Sequence, residues 1–331
     1  MPFSTIVGHA STVDLLRRAV RRGRVPQSLL FAGPEGVGKR AVAIALAQAV
    51  NCQQPREDDA CGRCPACVRI PRGQYSDVAL LDSGDAASIK IGALRGQVLA
   101  TVNYRPFEGR RRVYIIDPAD ALTEEAQDAL LKTLEEPPAA VILILVSAYP
   151  DTLVPTIQSR CRRVRFGPLP VSDVQQILVG QGMAPAEARA RAAASGGSVT
   201  RALAGDRGAF EGDRDAALSL LRAAGGTGAV AARLKSAEAF ARHPASRRAR
   251  EAVSSRLAIL QSLLRDLVAI RAGTAEPLAH ADLEETLRRL APAYDEERAA
   301  AGYAAVTQAL VHVIDDNASP KIVADWTAMA L

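Results

Sequence analysis

The stretch GPEGVGKR at residues 33–40 constrains most strongly what this chain can fold into. A short apolar segment, SLLFAG, leads into it, and a segment of helical character, KRAVAIALAQAVN, follows. A glycine loop between a strand and a helix is the setting of a P-loop, in which backbone N–H groups and a lysine surround the phosphates of a nucleotide. The phosphate-binding residues that this pattern predicts are Gly33, Gly36, Gly38 and Lys39.

Two positions argue against hydrolysis of a bound nucleotide. Where the P-loop pattern has a Ser or Thr hydroxyl for Mg²⁺, this chain has Arg40, whose guanidinium offers no lone pair and repels the ion. A second apolar strand, VYIID, ends at Asp117, the expected acidic residue, but Pro118 follows where an ATPase of this sort has a water-orienting Glu. Losing such a base costs about 10²- to 10⁴-fold in rate. The sequence therefore predicts a nucleotide-binding fold that has lost hydrolysis, and it leaves open whether ATP or ADP still binds.

Four of the five cysteines lie close together, with the spacing C-x8-C-x2-C-x2-C. Short C-x2-C steps bring thiolates to one metal ion, and four thiolates close a tetrahedral Zn²⁺ site with no open position. The alternatives are disulfides, which are disfavoured in a cytosolic chain, and unrelated thiols. The predicted ligands of this structural zinc are Cys52, Cys61, Cys64 and Cys67.

Apolar segments alternate with helical segments over the first half of the chain, which predicts a parallel α/β sheet. Residues 89–102 fit an amphipathic helix, and Thr123 is the predicted N-cap of another helix. The predicted strands lie at 28–33, 77–82, 113–116 and 140–148, with a last short strand in CRRVRFGPL.

After Pro170 the sequence is helical in character, without a convincing strand. Short helices are predicted over 172–205, and a loop is predicted at 222–233. The predicted domains are an α/β domain at 1–167 that contains the cysteine module (52–67), a small helical domain at 168–206 and a larger helical domain at 207–331.

Composition limits the location and the partners of the chain. No run of eighteen apolar residues occurs, and the start, MPFSTIVGHA, lacks the features of a signal peptide, so a cytosolic location is expected. The net charge of +5 permits an acidic partner such as nucleic acid without requiring one.

Several stretches together resemble one protein family. They are VGHASTVDLL, PQSLLFAGPEGVGK, the cysteine module, VYIIDPADALTEEAQDALLKTLEEPP and TLVPTIQSRC. The chain resembles the delta-prime subunits of bacterial DNA polymerase III clamp loaders, which are AAA+ proteins. The resemblance is strong over about the first 205 residues, and LLKTLEEPP followed by SRC is its most specific combination.

The resemblance implies a fold, a function and a set of partners. The implied fold is a RecA-like nucleotide domain, a small helical lid and a helical collar that assembles with the tau or gamma motor subunits and the delta subunit. The implied function is that of a non-hydrolysing stator in a complex that loads a sliding clamp onto primed DNA. The Arg of the S-R-C motif, Arg160, is implied to act in trans as an arginine finger on the ATP of a neighbouring motor subunit.

Three further residues take expected roles from the same resemblance. Ser147, at the end of the ILILVS strand, matches a polar sensor position that touches phosphate or water. Lys90 and Arg95 lie on the helix that resembles the DNA-facing helix of the family, where they would contact the DNA backbone. The alternative for both is that they are solvated basic residues, and the alternative for Arg160 is a surface or salt-bridged arginine.

Two other functions are alternatives to the stator. An active motor subunit of the tau or gamma type shares the P-loop, the zinc module and S-R-C, but it predicts Ser or Thr at position 40 and Glu at position 118. That motor would also often continue well past the collar, whereas this sequence stops at Leu331. An unrelated P-loop kinase of small molecules would leave the cysteine module and S-R-C unexplained.

Overall fold

The computed structural model describes residues 2–57, 59–84, 86, 88–204, 207–226, 230–242, 249–274, 277–314 and 318–331. The chain divides into two compact units, Met1–Leu169 and Pro170–Leu331. The finer division of the second unit into a lid (168–206) and a collar (207–331) stays a prediction.

The first unit contains one sheet whose five strands are all parallel, in the order β2-β3-β4-β1-β5. The predicted parallel α/β sheet is therefore confirmed, and each predicted strand is present. The strands are β1 (Ser28–Ala32), β2 (Val78–Leu81), β3 (Arg112–Ile116), β4 (Val141–Ser147) and β5 (Arg162–Arg165).

Helices cover both faces of this sheet, so the central strands are apolar along most of their length. All seven residues of β4 are buried. In β1, Leu29 and Phe31 pack into the core on one face, while Leu30 packs into the core on the other. The helices of this unit are α1 (Ala10–Arg21), α2 (Lys39–Asn51), α3 (Pro65–Arg69), α4 (Ile91–Leu94), α5 (Glu124–Glu135) and α6 (Pro155–Arg160).

Helix α5 begins and ends where the sequence predicts. The Thr123 side chain accepts a hydrogen bond from the backbone N–H of Ala126 at 3.4 Å, which satisfies a donor that the first turn leaves unpaired. The helix ends at Glu135, two residues before Pro137 and Pro138. The predicted N-cap is confirmed.

The amphipathic helix predicted at 89–102 forms differently. Only Ile91–Leu94 is α-helical, and a π-helical turn, Arg95–Leu99, continues it. Gly92 and Gly96 lie in this segment, and each glycine costs a regular helix about 1 kcal/mol relative to alanine. Leu94 of α4 and Val98 of the π-helical turn are both buried in the core.

The second unit contains no strand among the residues that the structure describes. The predicted loop at 222–233 is shorter than expected, because one helix runs to Gly225 and the next begins at Val230, while 227–229 lie outside the described residues. The helices are α7 (Val171–Gly180), α8 (Pro185–Ala194), α9 (Val199–Leu203), α10 (Arg207–Gly225), α11 (Val230–Ala241), α12 (Ala249–Ala272), α13 (Glu284–Leu290), α14 (Glu296–Ile314) and α15 (Pro320–Ala330).

Helix α12 supplies much of the core of this unit. Its buried leucines recur three or four residues apart, which is the spacing of one helix face. They are Leu257, Leu260, Leu263, Leu264 and Leu267. In the described part of the chain, no helix is both long and apolar enough to cross a membrane.

A buried polar cluster fixes the segment that follows α12. Asp266 accepts hydrogen bonds from the backbone N–H groups of Ala279 and His280 at 3.0 and 2.8 Å. Ser262 donates its hydroxyl proton to the carbonyl of Ile259 at 2.7 Å, so the 2.7 Å contact with His280 Nε2 is a bond that the imidazole donates. His280 is fully buried, and its Nδ1 has no partner among the described residues.

This cluster predicts a loss of stability in mild acid. Burial lowers the pKa of His280 from 6.5 to about 4, against the opposing effect of Asp266. Below pH ~6.5 His280 binds a proton in the unfolded chain but not in the folded chain. The free energy of unfolding therefore falls as the pH drops from ~6.5 to ~4, by up to about 3 kcal/mol. Urea unfolding of the wild type and His280→Gln across this window measures the effect. Parallel pH profiles for the two proteins would contradict it.

Candidate functional site

The glycine loop joins β1 to α2 at the carboxyl end of the sheet, with backbone angles that suit glycine. Gly33 has φ 154°, and a Cβ there would lie 2.1 Å from the carbonyl oxygen of Phe166. Gly38 precedes α2 with φ 101° in the left-handed region, and Gly36 has φ 75°. The loop therefore has the conformation that the P-loop pattern predicts, with the helix N-terminus behind it.

Lys39, the first residue of α2, turns back onto this loop. Its ammonium group donates hydrogen bonds to the carbonyl oxygens of Gly33 and Pro34, both at 2.6 Å, and only 6% of the residue is exposed. Burial lowers the pKa of Lys39, while the nearby carboxylates of Asp117 and Asp120 oppose that effect. A buried cation is thus held at the centre of the loop.

Arg40 makes an ion pair with Asp117 across the site. Arg40 Nε lies 2.5 Å from Asp117 Oδ2, and Arg40 Nη2 donates to the backbone carbonyl of Asp117 at 3.2 Å. Mg²⁺ requires oxygen ligands in near-octahedral geometry. Arg40 supplies none, and one Asp117 oxygen is bound to its guanidinium. The residues present at this position do not fit the divalent ion that a P-loop ordinarily binds.

Ser147 ends β4, directly beside the glycine loop. It pairs with Ala32 in the sheet, and its carbonyl oxygen accepts a hydrogen bond from the N–H of Gly33 at 3.2 Å. The residue is fully buried, and its Oγ has no hydrogen-bond partner within the described ranges. Its predicted position at the nucleotide site agrees with this placement, although no ligand contact tests its role as a sensor.

Asp120 is a residue that the sequence interpretation missed. Its Oδ1 accepts a hydrogen bond from the N–H of Ala148 at 2.9 Å, which connects the segment after β3 to the end of β4. The only signal for it was a second acidic residue in the motif DPAD. The P-loop, Arg40, Asp117 and Ser147 are thus all at the carboxyl ends of β1, β3 and β4, where parallel sheets bind ligands.

Arg160 lies apart from this site, as the last residue of α6. Its Nη2 lies 2.7 Å from Glu135 Oε1, and its Nη1 donates to the carbonyl of Thr156 at 3.0 Å. One third of its side chain, 33%, is exposed. The guanidinium therefore contacts only its own domain surface, and Glu135, its partner, was not predicted from sequence.

The four predicted zinc ligands come together in one cluster. All four sulfur atoms lie within 4.8 Å of one another, and the Cys52–Cys64 and Cys61–Cys67 sulfur pairs are both 4.0 Å apart. A tetrahedral site with Zn–S bonds of about 2.3 Å separates its sulfurs by about 3.8 Å. None of the cysteines forms a disulfide. The donor set and its spacing fit one zinc ion.

The thiolate is the form that binds metal, and the pKa is lowered for Cys61 and Cys64 but raised for Cys52 and Cys67. Burial raises the pKa of the Cys61 thiol, but the backbone N–H groups of Arg63 and Cys64 outweigh it and lower the pKa to about 6. Burial raises the pKa of Cys67. A backbone donor also reaches Cys52 Sγ, from the N–H of Cys61 at 3.2 Å.

Asp59 ties this module to the start of the described chain. Its two carboxylate oxygens accept hydrogen bonds from the N–H groups of Phe3 and Ser4, each at 2.9 Å. Only 7% of Asp59 is exposed. This residue was also missed, because nothing in the local sequence indicates a partner more than fifty positions away.

Lys90 and Arg95 are both exposed on the α4 and π-turn segment. Lys90 precedes α4 in an extended conformation, and Arg95 follows it. The segment is accessible, and a contact with DNA stays a prediction.

Comparison with known proteins identifies the first unit. Residues 8–170 match the sequence model of a family described as DNA polymerase III, delta subunit. DNA polymerase III subunit tau from Salmonella typhimurium is 36% identical over 176 residues, which cover 53% of this chain and 27% of that protein. The first unit is therefore similar to DNA polymerase III subunits over almost its whole length, which is just under half of this chain. The parallel α/β sheet and the helical second unit that the sequence predicts are confirmed.

A second curated relative is also a DNA polymerase III subunit. DNA polymerase III subunit tau from Bacillus subtilis is 37% identical over 164 residues, covering 50% of this chain and 29% of that protein. The match therefore spans between a quarter and a third of the length of these two relatives. A solved gamma subunit-related protein of DNA polymerase III from Thermotoga maritima is 18% identical, covers 96% of this chain and 97% of that one, and has a TM-score of 0.39.

Proposed function

We propose that this chain is a stator of the delta-prime type, a clamp-loader subunit that does not hydrolyse ATP itself. The observation that carries the proposal is the ion pair between Arg40 and Asp117. A motor subunit needs that position for a divalent ion between the P-loop and the acidic residue. With a guanidinium there, and Pro118 in place of a water-orienting Glu, both parts of the hydrolytic machinery are missing.

Arg160 gives this stator its chemical contribution. An arginine finger must reach a phosphate on another chain, so it has to lie at the surface with partners that it can leave. Arg160 is at the surface, and an exposed ion pair of the kind it makes with Glu135 is worth only about 0–1 kcal/mol. Arg160 can therefore leave Glu135 and bind a phosphate on a neighbouring subunit at little cost in free energy.

The remaining partners belong to the same proposal. The helical second unit assembles with tau or gamma motor subunits and with delta, and the complex opens a sliding clamp and closes it on primed DNA. Lys90 and Arg95 contact the DNA backbone, zinc stabilises the cysteine module, and the complex works in the cytoplasm.

An active motor of the tau or gamma type is the second candidate. It is favoured by one finding, the 36% identity of the first unit to a tau subunit. This candidate requires ATP turnover by the chain itself, which separates it cleanly from the stator.

The purified chain is expected to show no ATP turnover above background. Arg40 excludes the metal and Pro118 cannot act as a base, and a missing base alone costs about 10²- to 10⁴-fold. The measurement is steady-state phosphate release, with Lys39→Ala as the matched background. The double variant Arg40→Ser, Pro118→Glu is expected to recover weak turnover. Turnover by the unmodified chain that disappears in Lys39→Ala would establish the motor instead.

A further inference from the structure

The guanidinium of Arg40 has more hydrogen-bonding capacity than Asp117 uses. A guanidinium carries five N–H donors. Two of them bind Asp117, one through Nε and one through Nη2, and no other partner occurs among the described residues. The side chain is 45% exposed, so the remaining three donors are accessible.

The charges around these donors suit a polyanion. Lys39 and Arg40 supply two positive charges at the start of α2, whose N-terminus adds a favourable dipole. Asp117 is neutralised by its ion pair with Arg40. The Lys39 ammonium has three donors and uses two on loop carbonyls, so one remains for a ligand.

A separate observation points to a ligand at the same place. The hydroxyl of Ser147 is fully buried and unpartnered, in a sheet position next to the loop. A buried polar group without a partner costs about 1–3 kcal/mol. A phosphate oxygen or an ordered water beside the loop would satisfy it.

We propose that this P-loop binds the phosphates of a nucleoside di- or triphosphate without a divalent metal, with the Arg40 guanidinium in the place of the ion. The inference rests on the proposed function, in which the site has lost hydrolysis. A P-loop ordinarily needs Mg²⁺ to neutralise the β and γ oxygens, and here a covalently attached cation does so. Added Mg²⁺ finds one Asp117 oxygen already bound to the guanidinium and meets the positive charge of Arg40.

Calorimetric titration with ADP and with ATP tests this, each with and without MgCl₂. The buffer is freed of divalent ions before protein is added, and no chelator is used, because a chelator would remove zinc. For the wild type, the dissociation constant without metal is expected to equal that with MgCl₂ or to be tighter. Lys39→Ala is expected to abolish binding under both conditions.

Arg40→Ser is the decisive variant. Without metal it is expected to bind at least about tenfold more weakly than the wild type, since a charge-assisted bond is worth about 1.5–3 kcal/mol. MgCl₂ is expected to restore its binding, because a serine hydroxyl can coordinate the ion. Arg22→Ser, which removes an exposed arginine at the end of α1, is the control and should bind like the wild type. Zinc content and melting temperature confirm that each variant is folded.

Three results would overturn the inference. They are wild-type binding that requires MgCl₂, equal metal-free binding by Arg40→Ser and the wild type, and no binding of either nucleotide under any condition. The stator proposal fails separately, through ATP turnover by the unmodified chain. If the chain neither binds nor hydrolyses a nucleotide, this inference is wrong and the stator proposal still stands.

Discussion

Replacing Arg160 by Ala is expected to lower the clamp- and DNA-stimulated ATPase of a reconstituted clamp loader by at least the share that the neighbouring motor's site contributes. An arginine finger stabilises charge on the transferring phosphoryl group and is worth about 10³- to 10⁵-fold at its own site. The loss in the whole complex is smaller, because the other interfaces keep their own fingers. Clamp loading should fall in parallel.

Folding and assembly should be nearly unchanged in this variant. Arg160 is bound to Glu135, Thr156 and Ser159 on its own surface. The exposed ion pair contributes about 0–1 kcal/mol, so its removal leaves the fold intact. Zinc content and the elution volume of the assembled complex check this.

Two further variants sharpen the test. Arg160→Lys is expected to rescue poorly, since a lysine lacks the planar fork that binds phosphate at two points. Arg162→Ala removes a neighbouring exposed arginine from β5 and should retain wild-type ATPase. If the Arg160→Ala loader assembles and matches the wild type, Arg160 is a structural residue.

Replacing Cys64 by Ser is expected to remove most of the zinc and to loosen the cysteine module. Structural zinc contributes about 10–16 kcal/mol of binding free energy in small zinc-finger peptides, and loss of one thiolate forfeits a large part of it. The parallel sheet should persist, since the module follows α2 and no strand passes through it. Metal analysis and near-ultraviolet circular dichroism measure the two effects.

Cys161→Ser is the matched control for the zinc prediction. Burial raises the pKa of Cys161 to about 12, so the side chain stays a thiol, and it is not part of the four-sulfur cluster. This variant should keep one zinc ion per chain. Protein purified without a chelator that contains no zinc, or Cys64→Ser that retains it, would refute the assignment.

Patterns that repeat along the chain predicted the fold well. A fully buried parallel strand must be apolar throughout, so segments such as VILILVS can be found without knowing their neighbours. The glycine loop and the strand that ends at Asp117 were found for the same reason, since backbone geometry and strand order are local properties. The π-helical turn after α4 was not predicted, because its two glycines only weaken a helix and do not specify an alternative.

Side-chain partners account for most of what the sequence did not predict. The sequence indicated that Arg40 could not hold a metal, but not that it would bind Asp117, which lies 77 positions away. The contacts of Glu135 and Asp59 were not predicted for the same reason, because each is made with a residue that is distant in sequence and near only in the folded chain. Local chemistry predicts which groups a site has, and tertiary packing decides which of them meet.

The short strand β5 has a consequence for aggregation. It lies at one margin of the sheet, where unpaired backbone groups invite a strand from another molecule. Arg162, Arg163 and Arg165 are all exposed on it, so an incoming strand would have to place its own chain among three like charges. Charged side chains of this kind protect sheet margins from accidental extension. Any molecule that approaches this margin therefore meets guanidinium groups before it reaches the unpaired backbone of β5.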